Sequence, residues 1–282
     1  MPDLPSVHPP FRWDLVTPAN LGTLLDGCGE PNLPYLDDLV ECAAKVVARS
    51  GGGDLVFVGR SADSLFDLLS GVFADDERRG RLHRLAFSAR FPLGRLPHRE
   101  LTAARELLRG VGLTPHRLAR AAEPVALVDL VYEGGTFGNL FHLLRRWVDE
   151  EREPWDVVRR KLRFVGVTAR RKTSPHAFRW QQEAEWTREL PTPAVVNVSL
   201  PAWWSYFADQ QRKLTRSFRL AEWTAEEGAG PGHDEETRAA LAEAVSLVAY
   251  GREPSTRRRV AALMATEPAY AHRWLRSLVG RL

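Results

Sequence analysis

The chain has 282 residues, a hydrophobic fraction of 44% and a formal net charge of +3, a size that suits one α/β core carrying an accessory segment. No apolar run approaches the roughly 18–20 residues of a spanning helix, residues 1–10 lack an apolar stretch after a basic start, and Cys28 and Cys42 form neither a disulfide framework nor a metal-ligand pattern, so a reduced, cytoplasmic protein with no membrane partner is expected. The pI near 9.1 comes from clustered cations such as Arg170-Arg171-Lys172 and Arg257-Arg258-Arg259, which suit phosphate-bearing small molecules and nucleic acid alike.

In chain order, Leu36, Leu39, Val40, Ala43, Val46 and Val47 recur at helical spacing and predict a helix from 36 to 50, stopped by Gly51-Gly52-Gly53. The apolar run DLVFVG from Asp54 to Gly59 predicts a strand covered on both faces. A helix over 61–73 follows, then a strand over 83–91, a helix over 97–111, a strand over 124–131 and a helix over 136–148. After a short helical stretch at 155–161, LRFVGVT (162–168) and AVVNVSL (194–200) supply two more apolar strands.

Five strands separated by helical crossovers predict an α/β fold: a mostly parallel five-stranded sheet with helices on both faces, plus a C-terminal helical segment. The expected organisation is an N-terminal segment and first helix over 1–53, the α/β core over 54–200, and a helical lid, hood or packing segment over 201–282. Helices are predicted there at 235–250, 255–265 and 268–279, after a Gly/Pro-rich break at 228–232.

The strand ending at Val131 runs straight into Tyr132-Glu133-Gly134-Gly135-Thr136 before helical spacing resumes at Phe137. In an open parallel sheet, ligands sit beyond the carboxyl ends of the strands. Glycines let backbone N–H groups approach an anion, and a threonine at a helix start adds a hydroxyl. The same residues equally permit a plain tight turn with Thr136 as N-cap. Asp129, an acid inside an apolar strand, and Glu133 four residues on favour a site.

The stretch Val125-Ala126-Leu127-Val128-Asp129-Leu130-Val131-Tyr132-Glu133-Gly134-Gly135-Thr136 resembles the phosphoribosyl-pyrophosphate signature of type I phosphoribosyltransferases. That signature is an apolar strand, two acids, two apolar residues and a short Thr/Gly-rich loop opening a helix. Asp129 matches its second acid, while Val128 stands where the first would be and Tyr132-Glu133 replace the residues that open the loop. The resemblance implies that Asp129, with Glu133 beside it, forms the catalytic acidic site holding ribose hydroxyls. It implies that Gly134, Gly135, Thr136 and Phe137 hold the 5′-phosphate, and that Mg²⁺ acts as cofactor with Asp129 as its ligand.

Two other loops fit the same frame. Arg60 and Ser61, after the first strand, match the pyrophosphate-contacting loop, a guanidinium and a helix start both favouring phosphate oxygens; a solvated arginine with Ser61 as N-cap is the alternative. Arg170, Arg171 and Lys172 follow the fourth strand on the acceptor side, where a solvated basic loop or an RNA-contacting patch would carry the same residues. Arg90 and the loop 94–97 follow the second strand. The aromatic cluster Trp203, Trp204, Tyr206 and Phe207 reads as core under the helical tail or as a stacking face, and Trp180 and Trp186 are read the same way.

No histidine has zinc-ligand spacing, and neither a G-x-S-x-G elbow nor a G-x-x-x-x-G-K-[ST] loop is present. The expected activity is transfer of ribosyl 5-phosphate from phosphoribosyl pyrophosphate to an unidentified acceptor. The alternative is a non-catalytic sensor or RNA-binding regulator on the same fold; nucleic acid is the less favoured partner, and pairing of two copies stays open.

Overall fold

A computed structural model describes residues 7–89, 96–169, 179–225, 227–228 and 230–282. Its centre is a sheet of five strands, all parallel: β1 (Leu55–Val58), β2 (Leu82–Leu85), β3 (Val125–Leu130), β4 (Leu162–Thr168) and β5 (Val195–Ser199), in the order β2-β1-β3-β4-β5. Among the described residues ten α-helices surround it: α1 (Leu36–Arg49), α2 (Asp63–Val72), α3 (His98–Gly110), α4 (Pro115–Arg120), α5 (Gly135–Glu150), α6 (Trp155–Val158), α7 (Trp180–Glu183), α8 (Glu235–Arg252), α9 (Pro254–Ala265) and α10 (Arg273–Val279).

Strand alternation sorts the core into two layers. Leu55, Phe57, Ala126, Val128, Leu130, Val165 and Val167 point to one face and pack with α1 and α2. Val56, Val58, Val125, Leu127, Val131, Leu162 and Phe164 point to the other and pack with α3, α5 and the indoles of Trp180 and Trp186. Both faces are covered, which is why these strands read as continuous apolar runs rather than alternating ones.

The C-terminal helices lie against the first face: α8 packs on α2 and α9 on α1. Gly71 and Gly251 let α2 and α8 approach so closely that a Cβ on Gly71 would stand 2.1 Å from the Val248 carbonyl oxygen. Among the described residues no helix is long and apolar enough to cross a membrane. Cys42 is buried in α1, which pushes its thiol up to about 12, so it is a core residue with no nucleophilic character.

Three sequence expectations need correction. The second strand, predicted over 83–91, is paired among the described residues only over Leu82–Leu85, with one further bridge from Ser88 to Arg219; it is the edge strand beside β1, and residues 90–91 lie outside the described residues. The helix predicted over 268–279 is a 3₁₀ turn (Pro268–Ala271) followed by α10. Finally, the chain after β5 is not continuously helical. A short π-helical turn (Tyr206–Gln210) gives way to a largely non-helical strap, 211–219, that returns to the ends of β1 and β2.

Candidate functional site

The chain leaves β1 towards β2 through α2 on one face, then returns past β1 to β3 through α3 and α4 on the other. The direction of winding reverses between β1 and β3, and the loops leaving their carboxyl ends part there to leave a crevice. Arg60 and Ser61 come from the first of these loops; Tyr132, Glu133 and Gly134 come from the second.

The first of these loops is bonded to β3 itself. Ser61 Oγ donates to Asp129 Oδ1 over 2.7 Å, across 68 positions of sequence. Ser61 is therefore not the N-cap of α2, which starts from Ala62 without a side-chain cap. Asp129 lies between Leu127 and Val131 on the α3/α5 face and is 7% exposed. Val128 points the opposite way and is fully buried against α1 and α2. A carboxylate at 128 would sit unpaired in an apolar layer, at a cost of several kcal/mol.

Replacing Ser61 by alanine removes a charge-assisted bond from a buried carboxylate. The expected loss is about 1.5–3 kcal/mol of stability, read as a lower denaturant midpoint, with Ser61→Thr restoring most of it; a change under about 0.5 kcal/mol would show that the bond carries nothing.

Gly134 is the N-cap of α5 in the left-handed conformation, φ 81° and ψ 12°. A Cβ there would stand 2.5 Å from the Trp180 ring, so the turn needs glycine for conformation and for space. Trp180 is 2% exposed and held by its indole N–H, which donates to Asn197 Oδ1 over 2.7 Å. Thr136 is the second helical residue rather than the cap, and no side chain caps α5. The amides of Gly135, Thr136 and Phe137 precede the first intrahelical donor, Gly138, which bonds the Gly134 carbonyl. They form an anion-attracting helix start. Glu133 and Gly135 are exposed, Thr136 is half-buried and Phe137 is buried.

The exits of β1 and β2 and the 211–219 strap enclose a cavity of about 10 Å³ lined by Gly59, Arg60, Arg84, Ser88, Thr215 and Arg216, among others. Three arginines contribute to its lining. Arg60 is steadied by donating to the Thr215 carbonyl over 3.0 Å. Arg84 grips Asp63 with two bonds, of 2.8 and 3.0 Å. Burial works against the ionised Asp63, but Arg84 and Arg12 outweigh it and hold the carboxyl below its usual range.

The chain matches no family model, no curated relative and no solved structure.

The site is thus defined by its own geometry. Ser61 is bonded to Asp129, Arg60 belongs to the same loop and bonds the strap, and the Gly134 turn opens α5 after β3, whereas Arg84, Thr215 and Arg216, which line the cavity with Arg60, are additions that sequence reasoning missed. Arg84 is not singled out by the sequence, and the strap reads there as part of the helical tail. Arg170, Arg171, Lys172, Arg90 and residues 94–95 of the loop after β2 lie outside the described residues. Among the described residues no group of three His, Cys, Asp or Glu side chains stands close enough to hold a metal ion.

Of the aromatic cluster, Trp203, Tyr206 and Phe207 gather around Tyr35, and Phe207 is buried. Trp180 and Trp186 are core. Trp204 donates to the Val167 carbonyl over 3.0 Å and lies 6.2 Å from Tyr132, which is 69% exposed on the rim.

Proposed function

We propose that this chain binds 5-phosphoribosyl pyrophosphate at the β1/β3 crevice and transfers ribosyl 5-phosphate to an acceptor, releasing pyrophosphate. The observation that carries the reading is the Ser61–Asp129 bond: it ties the loop matched to pyrophosphate to the acid matched to ribose. One end of the crevice offers the uncapped start of α5 to a phosphate. The other carries Arg60, in the loop matched to pyrophosphate, and Arg216 beside it, to which we assign the diphosphate.

In this arrangement Asp129 accepts hydrogen bonds from ribose hydroxyls, and the amides of Gly135, Thr136 and Phe137 hold the 5′-phosphate. With both ends of the substrate fixed, the bond from C1 to the pyrophosphate oxygen breaks as the acceptor closes on C1. The chain's contribution is alignment and charge stabilisation. The guanidinium groups receive the negative charge that develops on the leaving oxygens.

The residues suit magnesium only as a partly carried ion. Asp129 is the buried carboxylate at the crevice, and Mg²⁺ commonly combines one or two carboxylates with substrate phosphates and water. When bound, it would neutralise charge on the pyrophosphate.

Calorimetric titration of phosphoribosyl pyrophosphate with Mg²⁺ tests the reading. Binding is expected for the natural chain, Asp129→Asn weakening it about 10- to 100-fold, the loss of one charged hydrogen-bond partner, and Thr136→Ala weakening it further. No heat, and no protection of the fold against unfolding, would contradict it.

Val128 favours a second reading, binding without transfer, because the place of the first acid is closed by core packing. A chain that binds the ligand but releases no pyrophosphate with any acceptor is a sensor rather than a transferase.

A further inference from the structure

Three neighbouring strands depart from their apolar pattern at one register position. Asp129 of β3 is paired with Gly166 of β4, and Gly166 with Asn197 of β5. Side chains alternate between the faces of a sheet, so Asp129 and Asn197 both project from the α3/α5 face, on either side of a residue that has no side chain. The Trp180 indole fills that gap. A Cβ on Gly166 would stand 3.2 Å from the indole and 2.9 Å from Asn197 Oδ1. Trp180 therefore lies over β4, between the acid of the crevice and the asparagine of β5.

The indole N–H donates to Asn197 Oδ1 over 2.7 Å, and the residue is 2% exposed, so this buried donor depends on that acceptor. Asn197 is itself held through its backbone. Its carbonyl accepts from Arg49 Nη1 over 2.7 Å, and Arg49 is clamped by two bonds to Glu267, of 2.8 and 3.1 Å.

The same indole bears on the start of α5. A Cβ on Gly134 would stand 2.5 Å from it, and the Phe137 ring lies 5.8 Å away between centroids. About one turn on, a Cβ on Gly138 would stand 3.1 Å from Trp186 Nε1. Glycines at 134 and 138 thus seat the first turn of α5 directly on two tryptophans. No side chain caps this helix, so packing on the indoles is what sets its first amides.

We propose that Asn197 is a positioning residue for the phosphate end of the crevice: by fixing the Trp180 indole over Gly166, it sets where the amides of Gly135, Thr136 and Phe137 point. The proposal rests on the reading of the α5 start as the 5′-phosphate site. Asn197 touches no ligand in this arrangement. Without its acceptor the indole N–H is left unpaired in an apolar layer, a cost the ring relieves by turning towards water or another carbonyl. The α5 start, seated on the ring, moves with it. Amides converging on one phosphate tolerate little displacement, because hydrogen bonds weaken steeply with misalignment.

The test titrates the full chain with ribose 5-phosphate by calorimetry, at a temperature where circular dichroism shows every variant folded. A purely structural loss leaves affinity untouched there. Asn197→Leu keeps the shape of the side chain without the acceptor, Asn197→Asp keeps an acceptor, and Trp180→Phe removes the donor. Asn197→Leu should bind about tenfold more weakly than the natural chain, Asn197→Asp within about threefold of it, and Trp180→Phe at least as weakly as Asn197→Leu. Adding Asn197→Leu to Trp180→Phe should cost less than about a further twofold, because both changes break one link.

Natural affinity in Asn197→Leu, or the same tenfold loss in both backgrounds, would overturn the positioning role. An Asn197→Asp variant as weak as Asn197→Leu would do the same. Should Asn197→Leu not fold, Trp180→Phe breaks the bond from the other side, and natural affinity in it would also overturn the proposal. No ribose 5-phosphate heat in the natural chain would instead overturn the phosphate reading, and the positioning role with it.

Discussion

Replacing Arg12 by methionine is expected to destabilise the chain by about 3–5 kcal/mol at pH 7, the cost of leaving a buried charge without its partner. Arg12 lies in the irregular N-terminal segment, yet its side chain is almost wholly buried. It donates to Asp63 Oδ2 over 3.0 Å and also to Asp67, and it stands over the Phe66 ring at 5.9 Å. Asp63 keeps Arg84 when Arg12 is lost, but Asp67 loses its salt-bridge partner.

The pH dependence follows from the same residues. Burial already pushes the Asp67 carboxyl above its usual range in the natural chain, with Arg12 opposing it, and without Arg12 it rises further. A carboxyl raised in the folded state binds more protons folded than unfolded, so stability falls as pH rises through the window between its two values. The deficit of Arg12→Met should therefore be larger at pH 7 than at pH 5. Urea unfolding at both values measures it. A deficit under about 1 kcal/mol, or one that grows on acidification, would show that the pair is not what holds the N-terminal segment on α2.

Gly134→Ala is expected to abolish ligand binding with a smaller effect on the fold. Alanine in the left-handed region costs roughly 1–2 kcal/mol, and overpacking against a fixed ring adds about 1–3 kcal/mol. Trp180 cannot swing aside, because its indole is bonded to Asn197 and its ring is closed in by Phe137 and Trp186. Relief must come from displacement of the α5 start, which moves the amides of Gly135–Phe137 away from the crevice. Affinity for phosphoribosyl pyrophosphate should fall at least 100-fold while the far-ultraviolet circular dichroism stays native. Unchanged affinity would remove the turn from the site.

Local pattern was enough for the sheet, because each strand buried on both faces is an unbroken apolar run; residues 162–168 were delimited as they stand in β4. The edge strand was overextended because HRLAFSARF is apolar enough to look paired, while pairing depends on a neighbour that sequence does not name. The Gly134 turn was legible through the demand for φ above zero. The role of Ser61 was only half legible, since the alternatives of N-cap and ligand contact both omit its bond to a residue 68 positions away. That Arg60, Arg84 and Arg216 line one cavity was not legible at all. It depends on the strap doubling back over 155 positions to reach Arg60.

The most direct measurement is a crystal structure of the chain with phosphoribosyl pyrophosphate or a non-reactive analogue. The account predicts the 5′-phosphate on the amides of Gly135, Thr136 and Phe137, the ribose hydroxyls on Asp129, and the diphosphate at Arg60 and Arg216. A ligand bound away from the β1/β3 crevice, or a crevice left empty at saturating ligand, would contradict it.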